Sequence, residues 1–197
     1  MARSSALARH PGRAPATLVL VLVLGLGLAL AALAPAAHAT QLKGGTTTLT
    51  LDPAVVGVLT GAGISIAPVA PATASGASLS FPITGGKIAP NGVGGLQHPG
   101  GVTISYKGRS VALTRFYVNT YDKKPYLSGN VAGGGRARLF DLDLSGAKIT
   151  PTSGGARVSG VKAALNTGAA GALNGALGTA LPGSIVLGTV VVDVKLG

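Results

Sequence analysis

Between its glycines this chain alternates apolar and polar residues with a period of two, and that pattern restricts it to a fold built from short strands. Val102, Ile104 and Tyr106 fall on one face, and Thr103, Ser105 and Lys107 on the other. Phe140, Leu142 and Leu144 alternate with Asp141, Asp143 and Ser145, and Val190, Val192, Val194 and Leu196 with Val191, Asp193 and Lys195. The same reading gives strands at 46–51, 111–119, 127–131, 139–144, 158–165 and 185–196, mostly separated by glycine-rich turns. Closely spaced strands with turns between them predict an all-β fold, an antiparallel sandwich or barrel-like domain, rather than alternating strand and helix units.

Two short helices interrupt the series. Asp52-Pro53 opens the first, because the aspartate caps free amides and proline at the first helical position gives up no hydrogen bond; Gly61 or Gly63 ends it. The second runs from about Gly168 to Leu177, with Asn166 or Thr167 as cap and Ala169, Leu173, Ala176 and Leu177 as its apolar face. Its glycines weaken it in isolation by about 1 kcal/mol each relative to alanine, so packing must hold it. Residues 67–77 read as a Pro/Ala/Ser loop, and no internal repeat is present.

The first 39 residues read as an export signal. Arg3, Arg9 and Arg13 form a basic start, an apolar run spans Ala16 to Ala34, and Ala37-His38-Ala39 supplies small residues around a cut before Thr40. The run also approaches the roughly 20 residues of a membrane span, which leaves a retained anchor as the competing reading. Cleavage leaves 158 residues, 40–197, enough for one domain with one core, placed outside the cytoplasm as a secreted or wall-associated protein with no stable membrane span. Cysteine is absent, so neither disulfides nor thiolate chemistry contribute. Thirteen Lys and Arg face five aspartates in this region, a net charge of +8 that favours anionic partners such as wall polymers or anionic small molecules. Nothing points to nucleic acid.

Catalytic constellations are scarce. Region 40–197 has one histidine, His98, and no glutamate. Ser145-Gly146-Ala147-Lys148 matches S-x-x-K, but it lies at a strand end and its partner motifs are missing, so the match is coincidental. Asp141 and Asp143 share a strand face, yet calcium takes six to eight oxygen ligands and no further acid is near in sequence. The sequence therefore predicts a binding protein rather than an enzyme. All four tyrosines lie between Tyr106 and Tyr126, interleaved with Lys107, Arg109, Arg115, Lys123 and Lys124. Phenolate suits ferric iron, and neighbouring cations lower a phenol's pKa and pair with carboxylates. The plainer account makes Tyr106 a core residue continuing Val102 and Ile104, and Tyr117 an ordinary strand residue.

Several segments in order resemble the HtaA-type domains of secreted and surface haem-uptake proteins of Gram-positive bacteria. They are Phe81-Pro82-Ile83 with Gly85-Gly86, His98-Pro99-Gly100-Gly101-Val102, Val111-Ala112-Leu113-Thr114 leading to Val118-Asn119, Leu142-Asp143-Leu144-Ser145-Gly146-Ala147, and Ala164 to Ala170. The resemblance implies a β-rich fold with small helices and a haem cofactor bound at the cell surface. It also implies an iron-ligating tyrosine in an early aromatic segment, supported by a histidine. Here the early segment, 46–60, has no tyrosine or tryptophan, and His98 is flanked by Gln97 and Pro99. The candidate ligand-binding residues are therefore His98, Tyr106, Tyr117, Tyr121, Arg109 and Arg115. Two functions follow as expectations: capture of haem or a similar amphipathic anion, and a structural or adhesive role in which the basic surface contacts anionic wall polymers.

Overall fold

The computed structural model describes residues 38–197; the export signal read over 1–39 lies, apart from His38 and Ala39, outside the described residues. Fourteen elements follow one another: β1 Thr40–Leu51, α1 Pro53–Gly61, β2 Ile64–Val69, β3 Thr73–Ser75, β4 Ser78–Ile83, β5 Gly85–Ile88 and β6 Gly94–Tyr106. Then come β7 Arg109–Asn119, β8 Tyr126–Val131, β9 Arg136–Asp143, β10 Lys148–Thr152, β11 Gly155–Leu165, α2 Thr167–Leu177 and β12 Val186–Leu196.

Every strand pairing is antiparallel, and the sheet closes on itself. The circuit runs β1, β5, β6, β7, β8, β9, β11, β12 and back to β1, an eight-strand barrel, so the choice between sandwich and barrel falls to the barrel. Closure leaves the circuit without a free edge. Four short strands lie off it: β4 on β1, β3 on β4, β2 on β6 and β10 on β11. β4 and β5 act as one strand broken at Thr84, since Gly45 pairs Ile83 and Gln41 pairs Lys87 in unbroken register.

Residues 67–77 are not a continuous loop. β2 extends to Val69 and β3 occupies 73–75. Pro68 is tolerated because β2 pairs only with β6 and so needs no second row of amide donors.

Both helices cap the same end of the barrel, where β1 and β11 finish and β12 begins. Asp52 Oδ1 accepts from the Ala54 amide at 2.8 Å and starts α1. Asn166 Oδ1 accepts from the Gly168 amide at 3.0 Å and starts α2, while its Nδ2 donates to Asp141 Oδ2 at 3.0 Å, tying the helix start to β9. Gly178, with φ +75°, ends α2 in the left-handed conformation that glycine adopts without strain. On β6 a bulge between His98 and Gly101 shifts the pairing with β7. A Cβ at Gly101 would meet the Leu113 carbonyl oxygen at 1.9 Å, so only glycine fits there.

The interior does not form one continuous core. The largest cluster joins Phe81, Leu113, Phe116 and Leu139 to Leu173 and Leu177 of α2. A second gathers Leu42, Ile83, Leu96, Val118 and Val194, and a third Val161, Ala163 and Val190 on the β11–β12 wall. Domains of this size usually have one contiguous cluster. Here a space inside the barrel separates the walls.

Candidate functional site

That space is a cavity of about 330 Å³, lined by members of all three clusters: Phe116 and Leu173 of the first, Leu96 and Val118 of the second, Val161 and Val190 of the third. The inward faces of β9 and β12, read from the sequence as apolar, supply Phe140, Leu142 and Val192 to it, and Leu144 adds to them just past the end of β9. Thr47, Thr120 and Asn91 are the lining residues with polar side chains, and no charged residue lines it. The volume lies within the range of small-molecule sites, about 300 to 1,000 Å³. At roughly 24 cal/mol per Å³, side-chain packing forgone over 330 Å³ costs at most roughly 8 kcal/mol. A domain's whole stability is about 5–15 kcal/mol, so such a volume marks a binding site more than a packing defect.

The lining reaches the surface at both ends. At the helical end α1 contributes Val58, 61% exposed. At the opposite end Ile149 of β10, 41% exposed, reaches across to the 89–93 turn, where a Cβ on Gly92 would lie 3.1 Å from Ile149 Cδ1.

His98 sits inside the barrel, 2% exposed, behind the cavity wall. Its Nε2 shares a hydrogen bond of 2.8 Å with Oγ1 of Thr47, which does line the cavity. Its Nδ1 is buried without a hydrogen-bond partner. Burial lowers the imidazole pKa to about 4, against a smaller opposing effect of the Phe116 backbone, so the ring is neutral near pH 7.

Tyr106 packs against the main core cluster, in line with its alternation with Val102 and Ile104, and Lys107 Nζ lies 5.1 Å from its ring centroid. Arg109 is exposed at the neighbouring hairpin; a Cβ on Gly178 would lie 3.5 Å from its Nη1, which places the guanidinium at the C-terminal end of α2, where the helix dipole favours a cation. Arg115 is an exposed residue with φ +52°, in the stretch where the β7–β8 register shifts, and its carbonyl accepts from Arg136 Nη2 at 2.8 Å.

Tyr117 lies on the outer face of β7, its ring over Gly95, where a Cβ would meet the phenol oxygen at 2.1 Å. The sequence reading, that neighbouring cations lower a phenol's pKa here, does not hold for Tyr117: partial burial raises its pKa, and so do the neighbouring phenols Tyr121 and Tyr126, outweighing the opposite effect of Arg136. Tyr121 is 54% exposed. Tyr126 accepts from Asn119 Nδ2 at 3.0 Å, and Arg138 stacks 4.7 Å above its ring. Arg136 Nη1 donates to Ser128 Oγ at 2.9 Å, and Arg138 pairs with Asp141 at 2.6 Å.

The six candidates do not meet at one point. Tyr117 and Tyr121 share the outer face of the β7–β9 wall, joined there by Tyr126, Arg136 and Arg138; His98 is interior, Tyr106 and Arg109 lie toward the helical end, and Arg115 sits beside the outer cluster. Arg136 and Arg138 were accessible to sequence reasoning, since two residues two apart on a strand share a face. The cavity was not. Alternation identifies which residues face inward but not whether their volumes fill the space they enclose.

No protein-family model matches the chain, and no curated protein matches it either. Solved structures do. The C-terminal domain of HtaA from Corynebacterium glutamicum superposes with a TM-score of 0.62 at 14% identity, covering 80% of this chain and 99% of that one. The haem-binding protein HtaB from the same organism gives 0.53 at 13% identity, covering 81% and 96%. A domain-swapped dimer of a histidine-to-alanine variant of the HtaA domain gives 0.53 at 14%, covering 73% and 91%. The HtaA-type resemblance of the sequence is thus a resemblance of fold.

Proposed function

We propose that this chain is an exported, non-enzymatic binding module for an amphipathic anion, with haem the first candidate. The apolar barrel cavity carries the reading: it offers a ligand a large dry surface and no acid, base or nucleophile. Among the described residues no group of three or more His, Cys, Asp or Glu gathers as a metal site. The positive charge of the chain supplies attraction for an anion. The fold supports haem in particular, because HtaB is a haem-binding protein.

The cavity and the groups suited to haem lie on opposite faces of the barrel wall, so the haem reading belongs to the outer face and the cavity to an apolar chain. No tyrosine, histidine, cysteine or methionine lines the cavity, so the interior does not fit a ligated iron. Phenols and guanidinium groups, of a kind that suits ferric iron and propionates, stand together on the outer face in Tyr117, Tyr121, Tyr126 and Arg136, with the Tyr117 phenol held toward its neutral form by burial until a metal displaces its proton. Titration with ferric haem tests this. A saturable one-to-one Soret band is expected, weakened about tenfold or more in a Tyr117→Phe/Tyr121→Phe variant and retained in His98→Gln. A spectrum matching that of an unrelated basic protein overturns haem as the ligand.

The second reading, attachment to anionic wall polymers, draws on one observation. The described residues form two ion pairs, Arg138–Asp141 and Arg157–Asp193, which leaves most of the basic side chains to face solvent or a partner. Wall binding that falls steeply with salt and is unchanged by the tyrosine variant supports it.

A further inference from the structure

The barrel interior is itself a site, and its two ends differ in a way that orients a ligand. The segments that line the helical end, α1 and residues 179–187, contain no charged residue, and Arg109, a cation toward that end, is placed at the C-terminal end of α2. At the opposite end, lining residues adjoin exposed cations in the chain: Ile88 follows Lys87 and Ile149 follows Lys148; Lys123 and Lys124, in the loop after Thr120, stand instead in a separate surface pocket with Asp141 and Asp143. Of the acids near that end, Asp141 pairs with Arg138, and two others accept hydrogen bonds within their own segments. Asp122 Oδ2 accepts from Asn119 Nδ2 at 3.4 Å, and Asp143 Oδ1 from the Ser145 amide at 2.9 Å. Asn91, Thr120 and Ile149 stand where the apolar lining meets this basic rim.

Shape narrows the class further. At roughly 30 Å³ per water-sized unit, 330 Å³ admits on the order of ten such units. Three polar side chains in so long a lining are too few to give a file of waters the two to four partners each requires. A single flexible alkyl chain fits both the volume and the apolar wall.

We infer that the barrel binds one single-chain anionic amphiphile, its aliphatic tail inside and its anionic head at the rim beside Lys87 and Lys148. This deepens the amphipathic-anion reading and is independent of haem. Head groups of two origins share this chemistry, the carboxylate of a free fatty acid and the phosphate of a lipid, and the experiment separates them.

The test is calorimetric titration of the purified protein with alkyl carboxylates and alkyl phosphates of eight to fourteen carbons, each below its micelle concentration. One-to-one binding is expected, tightening about fourfold for each added methylene and levelling off once the chain outgrows the cavity. The tighter of the two head groups names the source. The trimethylammonium analogue of the best chain should bind at least tenfold more weakly, and Lys87→Glu/Lys148→Glu should erase that preference. Ala163→Phe, which fills the cavity from the β11 wall, should abolish alkyl binding and leave any Soret band intact. Affinity independent of chain length overturns the proposal without reference to any variant, and so does a cation bound as tightly as the anions. A Soret band with no alkyl binding overturns this inference alone; alkyl binding with no Soret band overturns haem alone.

Discussion

His98 is the residue whose environment differs most from its solution state. Folded, its pKa is about 4; unfolded, it returns to the ordinary 6.5. The unfolded chain therefore takes up the proton first as pH falls, so stability declines from about pH 6.5 downward and the loss is complete near pH 4, where both states are protonated. The full shift corresponds to roughly 3 kcal/mol. Urea unfolding between pH 7 and 4 should show this slope, and His98→Gln should remove most of it. Asp143, whose carboxyl is held below the usual range by hydrogen bonds from Ser145, is lost only at more acidic pH and does not confound that window. In the core, Leu113→Ala or Leu139→Ala, each 1% exposed, should cost about 2–5 kcal/mol in the same assay. At this scale the sequence was a good guide wherever strand alternation decided the outcome: Tyr106 packs half-buried against the core, and the acids of 141–145 face away from Phe140, Leu142 and Leu144. It was a poor guide to His98, because nothing in the motif around it shows that Thr47, 51 residues earlier, is its partner.

The elements follow local signals closely where a cap or a turn residue fixes a boundary. Asp52-Pro53 begins α1, Asn166 caps α2, and Gly178 ends it, all from side-chain chemistry within two residues of the boundary. Asn166 has a second partner that only the fold supplies, Asp141 on β9. Asn166→Ala should therefore destabilise the protein more than Asp52→Ala, which removes a cap alone and costs about 1 kcal/mol; comparing the two denaturation midpoints tests the difference. Gly101→Ala should prove worse than either, since its Cβ would meet backbone across the β6–β7 ladder, and loss of soluble folded protein is the expected result. The strands between 64 and 88 were hidden for a physical reason. They are short, hold Pro68 and Pro82, and exist because β1 and β6 offer them open hydrogen-bonding rows, a property of the partner strand rather than of their own residues.

At the scale of the whole molecule, closure of the strand circuit and the unfilled volume within it belong together. An antiparallel barrel of eight strands can fill its interior with side chains or hold one small ligand, and here Ala163, Val161, Val190 and Val192 are too small to meet the opposite wall. A chain under selection for stability alone would place larger residues at these positions. The likeness to HtaA and HtaB extends across most of the chain at 13–14% identity and is one of fold, which does not by itself name a ligand. The measurement that bears most directly on this account is methyl NMR of the valine, leucine and isoleucine side chains during titration with a twelve-carbon alkyl carboxylate. The account expects saturable shifts confined to inward methyls such as those of Leu96, Val161 and Val190, with the methyls of solvent-facing Val186, which does not line the cavity, unmoved. Shifts scattered over the outer surface, or none at all, would contradict the claim that the barrel is a binding site.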